Sequence, residues 1–387
     1  MNILAISYDY PPYKGGVANV SYQIIHHLNN FGENIVVVAQ KTKGDVAFDR
    51  NNKFLTYRCI NIFLLRELAL ILLLPYLAIK HNIDIIYMLI WHQGGIATFF
   101  TSKLLNIPYV LHAYGEEFVD YKKTLLDKIK YNILREKYKK AIFKNAKRVI
   151  AISNYTKDIV IESGVEKDKV DVVYPGVDID RFKPGLDTNT IILRHNLYGK
   201  RILLTVATLA EHKGHDIIIK FMPQLLEKIP NLVYLIIGGG KNKKFLESLV
   251  KKLNLKEKVI FAGWQNESLP LYYNACDVYI MLSQERKDKG QFEAFGLVYL
   301  EANSCCKPVI GTKIAGAVEA VADGKTGYLI RPGDDQELIN RITLLFQNKD
   351  IANKLGEEGR NGIIRKNLTW GTTARNIYVI LASQVKK

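Results

Sequence analysis

Short apolar runs recur along the chain, and between them lie longer segments whose apolar residues return every three to four positions. The short runs fall at 2–7, 34–39, 84–88, 109–112, 148–152 and 170–174, and a second series follows at 201–207, 233–237, 259–262, 277–282 and 308–310. Near-continuous Val/Ile/Leu runs of this length suit strands covered on both faces, and the helical-period segments suit crossover helices. Strand and helix alternating in this way predict α/β domains built on parallel sheets. Between the two series, Pro175, Gly176, Pro184 and Gly185 break the pattern, which places a hinge in the stretch 175–200. A chain of 387 residues is about twice an ordinary domain, so two doubly wound, Rossmann-like domains are expected, 1–183 and 184–369. Their ligands are expected in a cleft between the two domains, at the carboxyl ends of both sheets.

Two segments need separate treatment. The stretch 62–80 is rich in Leu and Ile, but Arg66, Glu67 and Pro75 interrupt it, and its uncharged part is shorter than the roughly 20 residues a bilayer span needs. It is expected to be a buried helix. In 121–148, eleven Lys and Arg stand against two acids, Asp127 and Glu136, while Leu125, Leu126, Ile129 and Ile133 recur at helical spacing. A basic amphipathic helix of this kind suits an anionic membrane surface, although a core-facing helix with a solvated basic face has the same pattern. The formal charge of +16 also raises nucleic acid as a partner, but no recognition motif or aromatic–basic repeat accompanies it. Nucleic-acid binding is therefore not expected.

Four cysteines (Cys59, Cys276, Cys305, Cys306) lack metal-ligand spacing, and the first residues run directly into a strand pattern with no signal peptide. Both features suit a reduced, cytoplasmic protein. No G-x-G-x-x-G follows the first strand, and Gly238-Gly-Gly240 lacks the rest of that fingerprint, which argues against a dinucleotide-binding dehydrogenase.

Chemistry concentrates in Glu293-Ala-Phe-Gly-Leu-Val-Tyr-Leu-Glu301, two carboxylates framing a Phe-Gly-Leu turn. A helix beginning near Gly296 would aim its free N–H groups at whatever Glu293 faces, which suits a phosphate. Glu301 would then lie about a turn and a half further on, able to accept hydrogen bonds from vicinal hydroxyls. Two solvated helix glutamates would satisfy the spacing equally well, so context decides.

That context is an ordered set of motifs. Tyr10-Pro-Pro-Tyr-Lys-Gly-Gly16 follows the first strand, and Val110-Leu-His-Ala-Tyr-Gly115 carries His112 at a strand end. Ala151-Ile-Ser-Asn-Tyr-Thr156, Val173-Tyr-Pro-Gly-Val-Asp178 and Phe182-Lys-Pro184 come next, followed by Val206-Ala-Thr-Leu-Ala-Glu-His-Lys-Gly214, the Glu293–Glu301 run and Gly324-Lys-Thr-Gly-Tyr-Leu329. Together they resemble the retaining glycosyltransferases of family 4, which have the GT-B architecture, over nearly the whole length. The segment around 285–301 is most similar to phosphatidylinositol mannosyltransferases and related mannosyltransferases.

The resemblance implies a role for each matching position. Gly15 and Gly16 let backbone approach the donor diphosphate or acceptor, and His112 lies beside the donor sugar. Lys213 neutralises the leaving diphosphate. Glu293 holds sugar hydroxyls, with the N–H groups of Phe295, Gly296 and Leu297 along the sugar and phosphates, and Glu301 grips the ribose. Asn367-Leu-Thr-Trp-Gly371 implies a last helix, 370–387, that crosses back onto the first domain. Thr208 departs from the family pattern, which has an arginine there that meets the diphosphate. Arg286, Lys287 or Lys289 are the candidates to replace its charge.

Asp178-Ile-Asp180 imitates a metal-binding Asp pair, but its place beside the hinge reads as structural, and no metal or other cofactor is expected. The implied reaction is transfer of a hexose from a nucleotide sugar, GDP-mannose favoured over a UDP-sugar, to a lipid-linked or saccharide acceptor. Cell-envelope polysaccharide or glycolipid synthesis, at the inner face of the cell membrane, is the expected setting. A nucleotide-sugar epimerase, a phosphorylase or a non-catalytic membrane-surface protein of the same fold are the alternatives.

Overall fold

The computed structural model describes residues 1–60, 63–92, 94–118 and 133–385. The chain divides into two compact units, Met1–Pro175 together with Trp370–Lys387, and Gly176–Thr369. The division thus falls eight residues before the expected boundary after 183. Hydrogen bonds explain the difference: Val177 N–H donates to the Leu368 carbonyl (3.0 Å) and Asn274 Nδ2 to the Lys183 carbonyl (2.9 Å), which fastens 176–183 to the second unit.

In the first unit the elements alternate as β1 (Asn2–Ile6), α1 (Gly16–Asn29), β2 (Asn34–Gln40), α2 (Asp45–Arg50), β3 (Leu55–Cys59), α3 (Phe63–Lys80) and β4 (Ile85–Met88). They continue with α4 (Gly95–Leu105), β5 (Tyr109–Ala113), α5 (Ile133–Asn145), β6 (Arg148–Ala151), α6 (Asn154–Glu162) and β7 (Val170–Val172). The strands form one parallel sheet in the order β3-β2-β1-β4-β5-β6-β7. Side chains alternate across it. Leu4, Ile6, Met88, Leu111 and Val149 face a core completed by Leu70, Leu74 and Leu77 of α3 and Ile142 of α5.

One expectation fails here. Helix α3 is not buried all round: Leu68, Leu72, Tyr76 and Ile79 recur along its outer side, and Leu72 is 77% exposed. Leu70, Leu74 and Leu77 already fill the sheet-facing stripe, so the extra apolar residues are left on the water side. No helix among the described residues is long and apolar enough to cross a membrane. The segment 121–132 lies outside the described residues, and the basic stretch continues into α5.

The second unit begins with α7 (Asn189–Arg194), β8 (Arg201–Val206), α8 (His215–Lys228), β9 (Leu232–Ile237), α9 (Lys243–Lys252), β10 (Val259–Gly263), α10 (Leu269–Ala275) and β11 (Val278–Met281). It ends with α11 (Leu297–Ser304), β12 (Val309–Thr312), α12 (Ala317–Ala320), β13 (Gly327–Ile330), α13 (Asp335–Gln347) and α14 (Lys349–Arg365). Its sheet is again parallel, in the order β10-β9-β8-β11-β12-β13, and every residue of β9 is buried. The last helix, α15 (Trp370–Ala382), belongs to the first unit, where it packs on α1 and Thr373 Oγ1 donates to the Tyr174 carbonyl at 2.9 Å.

Strand order reverses beside β1 and β4 in one sheet and beside β8 and β11 in the other. At such a switch point the following loops diverge to opposite faces and leave a crevice beyond the strand ends. The loops after β1, β8 and β11 carry most of the residues singled out above.

Candidate active site

In the second unit, two loops are stitched together at the switch point. Gln284 N–H, after β11, donates to the His212 carbonyl at 2.7 Å. Gly214 has φ 69°, and a Cβ there would sit 2.1 Å from the Leu282 carbonyl oxygen, so only glycine lets the turn before α8 lie this close. His215, the first residue of α8, is buried, and burial lowers its pKa to about 4. The neutral ring donates Nε2–H to the Thr208 carbonyl at 3.1 Å, which pins the loop from inside.

This stitching sets Lys213 against Glu293. Nζ donates to Glu293 Oε2 at 2.8 Å, and Ser283 Oγ donates to the same oxygen at 2.9 Å. Glu293 is 8% exposed, so its charge is held by two short bonds rather than by water. The backbone around it is fixed too: Gly316 N–H donates to the Glu293 carbonyl at 2.9 Å.

Gly296 caps α11 at φ 96° and ψ 56°, with no side-chain cap on the helix N-terminus. Its Cα lies over the buried Tyr299 ring, whose hydroxyl donates to the Met281 carbonyl at 2.7 Å. Tyr299 thereby supports the Phe-Gly-Leu turn, with Phe295 buried and Leu297 half-buried. Further along α11, Glu301 Oε2 accepts from Tyr273 OH at 2.7 Å. Desolvation raises the Glu301 carboxyl to about 7, against the lowering effects of Tyr273 and Arg181.

Thr208 is exposed. Of the cations considered as substitutes for the missing arginine, Arg286 Nη1 pairs with Glu211 Oε2 at 2.5 Å and Lys289 Nζ reaches the same oxygen at 3.5 Å. Two cations on one carboxylate leave the 208–213 loop with positive charge beside Lys213. Asp178 Oδ1 accepts the N–H groups of Asp180 (3.2 Å) and Arg181 (3.0 Å), so this Asp pair shapes a turn.

Gly15, Gly16 and His112 lie in the first unit. A Cβ on Gly16 would meet nothing within 4 Å, and one on Gly15 would meet only the Tyr13 ring at 3.8 Å. Protein packing therefore does not require these glycines. Helix α1 starts here with no side-chain cap, leaving backbone N–H groups for an anion. His112, on β5, is buried; its Nδ1 lies 2.7 Å from Tyr87 OH, and Nε2 has no partner among the described residues. Desolvation lowers its pKa to about 3.

Four of these contacts escaped the sequence. Ser283, His215, Tyr273 and Tyr87 each hold a site residue, across 10, 7, 28 and 25 positions of the chain respectively. A serine directly after a strand was the one available signal.

Two parallel-sheet units of this kind are the GT-B fold. Two family models match, Glycosyltransferase Family 4 over residues 14–181 and Glycosyl transferases group 1 over 188–362. The chain belongs to glycosyltransferase family 4.

A GDP-mannose-dependent alpha-(1-6)-phosphatidylinositol monomannoside mannosyltransferase of Mycolicibacterium smegmatis is 25% identical over 99% of this chain and 98% of its own length. An Escherichia coli UDP-Gal:alpha-D-GlcNAc-diphosphoundecaprenol alpha-1,3-galactosyltransferase is 27% identical over 91% of this chain and 90% of its own. Among solved structures, Anabaena HepE in complex with UDP and glucose superposes with a TM-score of 0.81 at 22% identity, covering 99% of this chain and all of that one (100%). Sucrose-phosphate synthase from Thermosynechococcus elongatus gives 0.80 at 22% identity, over 99% and 98% of the two chains.

Proposed function

We propose that this chain transfers a hexose, mannose from GDP-mannose in preference to a UDP-sugar, to an acceptor hydroxyl with retention at the anomeric carbon and without a divalent metal. The Lys213–Glu293–Ser283 cluster beside an uncapped helix N-terminus carries the reading. Breaking a sugar–phosphate bond puts negative charge on the departing diphosphate, which preorganised cations and N–H dipoles stabilise without reorganising. Lys213 and the α11 N-terminus supply both.

Glu293 accepts from donor-sugar hydroxyls and orients the ring, and Glu301 accepts from the ribose diol. The acceptor oxygen bonds to the anomeric carbon on the face the diphosphate leaves. The acceptor's proton passes to the departing phosphate oxygen, giving a glycoside and a nucleoside diphosphate. The mannosyl preference rests on the mycolicibacterial relative; the relatives that use or bind uridine nucleotides keep UDP-sugars as the alternative donors.

The acceptor is proposed to be lipid-linked or a saccharide at the inner face of the cell membrane. In support, α3 and α4 expose Leu68, Leu72, Ile79 and Leu104 to water, while Lys80, Lys103, Lys140 and Lys144 are exposed on α3, α4 and α5. Apolar residues flanked by cations suit an anionic lipid surface. Co-sedimentation with phosphatidylglycerol vesicles is expected, weakening steeply with salt; absent binding discards the membrane setting.

The deciding experiment measures nucleoside diphosphate release from GDP-mannose, UDP-glucose and UDP-galactose, with and without lipid and sugar acceptors. Acceptor-dependent release with GDP-mannose fastest is expected. Conversion of a nucleotide sugar without acceptor would mean an epimerase, and no release from any donor would leave a non-catalytic protein.

A further inference from the structure

Tyr87 and His112 lie on adjacent parallel strands, where Tyr87 pairs in register with Val110, two residues before His112. Residues two apart point to the same face of a sheet, so Tyr87 and His112 share one, opposite to the large core formed with α3 and α5. Tyr87 lies opposite Ala5 on its other side, a small neighbour that leaves room for the phenol. Both side chains are buried, and the hydroxyl and Nδ1 are 2.7 Å apart. The Tyr114 ring lies over the imidazole with centroids 4.9 Å apart.

Donor counting fixes the proton. Burial raises the Tyr87 phenol well above its ordinary pKa and lowers that of His112, so a neutral phenol faces a neutral imidazole. One hydrogen lies between the two atoms. If it is the imidazole's, the Tyr87 hydroxyl hydrogen is buried with no described acceptor, and Nε2 is left a bare, unpartnered lone pair. If it is the phenol's, Nδ1 accepts it, the hydroxyl is satisfied, and the ring carries its own hydrogen on Nε2. Each unmet buried polar group costs about 1–3 kcal/mol, so the second arrangement is favoured.

We propose that Tyr87 is a positioning residue that locks His112 as the Nε2–H tautomer and thereby makes it a hydrogen-bond donor to an oxygen of the donor sugar. The inference rests on the transferase reading of the site, and it excludes a role His112 would otherwise fit. An imidazole that already carries hydrogen on its free nitrogen, and whose other nitrogen is occupied by Tyr87, does not take the acceptor's proton. That proton must go to the leaving phosphate. A buried Nε2–H without a partner is also a standing cost, which an arriving oxygen relieves.

Two readouts test this. Long-range proton–nitrogen spectra of 15N-histidine-labelled protein, with the His112 signal assigned from its loss in His112→Gln, should show hydrogen on Nε2 and a bare Nδ1 between pH 6 and 8. Hydrogen on Nδ1 overturns the proposal, whatever the enzyme's activity. In turnover, Tyr87→Phe keeps the ring and removes the hydroxyl. It should lower kcat about 10- to 100-fold, the scale seen when a metal-ligating imidazole loses the group that orients it. The affinity for GDP or UDP, which lack the sugar, should be unchanged, and the His112 signal should show mixed tautomers.

Wild-type kcat in Tyr87→Phe would sink the proposal; so would a loss of nucleotide affinity equal to the loss of kcat, which would mean general damage. Failure of the wild-type protein to release nucleoside diphosphate from any donor would sink the transferase reading instead, and the tautomer would still be decided by the spectra.

Discussion

The two units hold their candidate polar groups in opposite arrangements. In the second unit the candidates are paired to one another: Lys213 and Ser283 on Glu293, Tyr273 on Glu301. In the first, polarity is left open, with Nε2 of His112 unpartnered among the described residues and a glycine, Gly16, where an added Cβ would meet none of them within 4 Å. Where charge must develop, a buried carboxylate and ammonium hold each other in place before the substrate arrives. On the proposed reading His112 meets a neutral sugar, for which an unsatisfied donor suffices. The free N–H groups and open space at Gly15 and Gly16 admit an anion or the acceptor. The contrast has consequences that differ in size.

Breaking the paired cluster should have the largest effect. Lys213→Ala removes the cation expected at the leaving diphosphate and also strands Glu293, 8% exposed, on Ser283 alone. Turnover measured by nucleoside diphosphate release should fall by about 10²- to 10³-fold, the scale for losing one preorganised charge donor. Ser283→Ala, which leaves the ion pair, should cost far less. Equal losses in the two variants would show that the cluster acts through its fold and not through the lysine's charge.

The open side is tested by filling it. Gly16 begins α1, where alanine fits the helical backbone, and the added methyl touches none of the described residues. Gly16→Ala should therefore leave Tm unchanged or raised while weakening donor or acceptor binding about tenfold, because a ligand approaching backbone would meet the methyl. Unchanged binding by calorimetry would reduce the glycine to a turn residue.

The same contrast explains what the sequence disclosed. Buried central strands such as β9 announce themselves as unbroken apolar runs, and the Glu293–Glu301 run stands out through the ordered set of motifs around it. Strand β3 does not, because it is an edge strand whose Leu-Thr-Tyr-Arg-Cys sequence is mostly half-exposed. β13 is four residues long and follows a glycine turn. Helix α3 was misread because apolar composition reveals that a face is sticky without revealing what covers it. Bonds such as Tyr87–His112 and Tyr273–Glu301 join segments more than 20 residues apart, |i−j| being 25 and 28; the first depends on strand register and the second on the placing of two helices, and no local pattern encodes either.

The smallest effect concerns Glu301 and is set by pH. Its carboxyl titrates at about 7 because burial penalises the charge more than Tyr273 and Arg181 relieve it. A ribose diol donates hydrogen bonds, so it favours the ionised form, and donor affinity should rise from pH 6 to a plateau near pH 8. With roughly a tenth of the carboxyl ionised one unit below its pKa, the gain should be at most about tenfold. Glu301→Gln, whose amide oxygen accepts at any pH, should flatten the profile. A nucleotide sugar is the right probe, because its diphosphate has no ionisation in this range.

The stability effect has the opposite sign. A pKa raised in the folded state means that folding takes up a proton, so the contribution is fullest below the ordinary carboxylate range and is lost as pH climbs through about 7. Glu301→Gln should thus raise Tm more at pH 8 than at pH 5. A variant that binds less at high pH yet gains stability there would mark Glu301 as a group kept for its ligand; a flat wild-type binding profile would leave it a half-buried acid held by Tyr273.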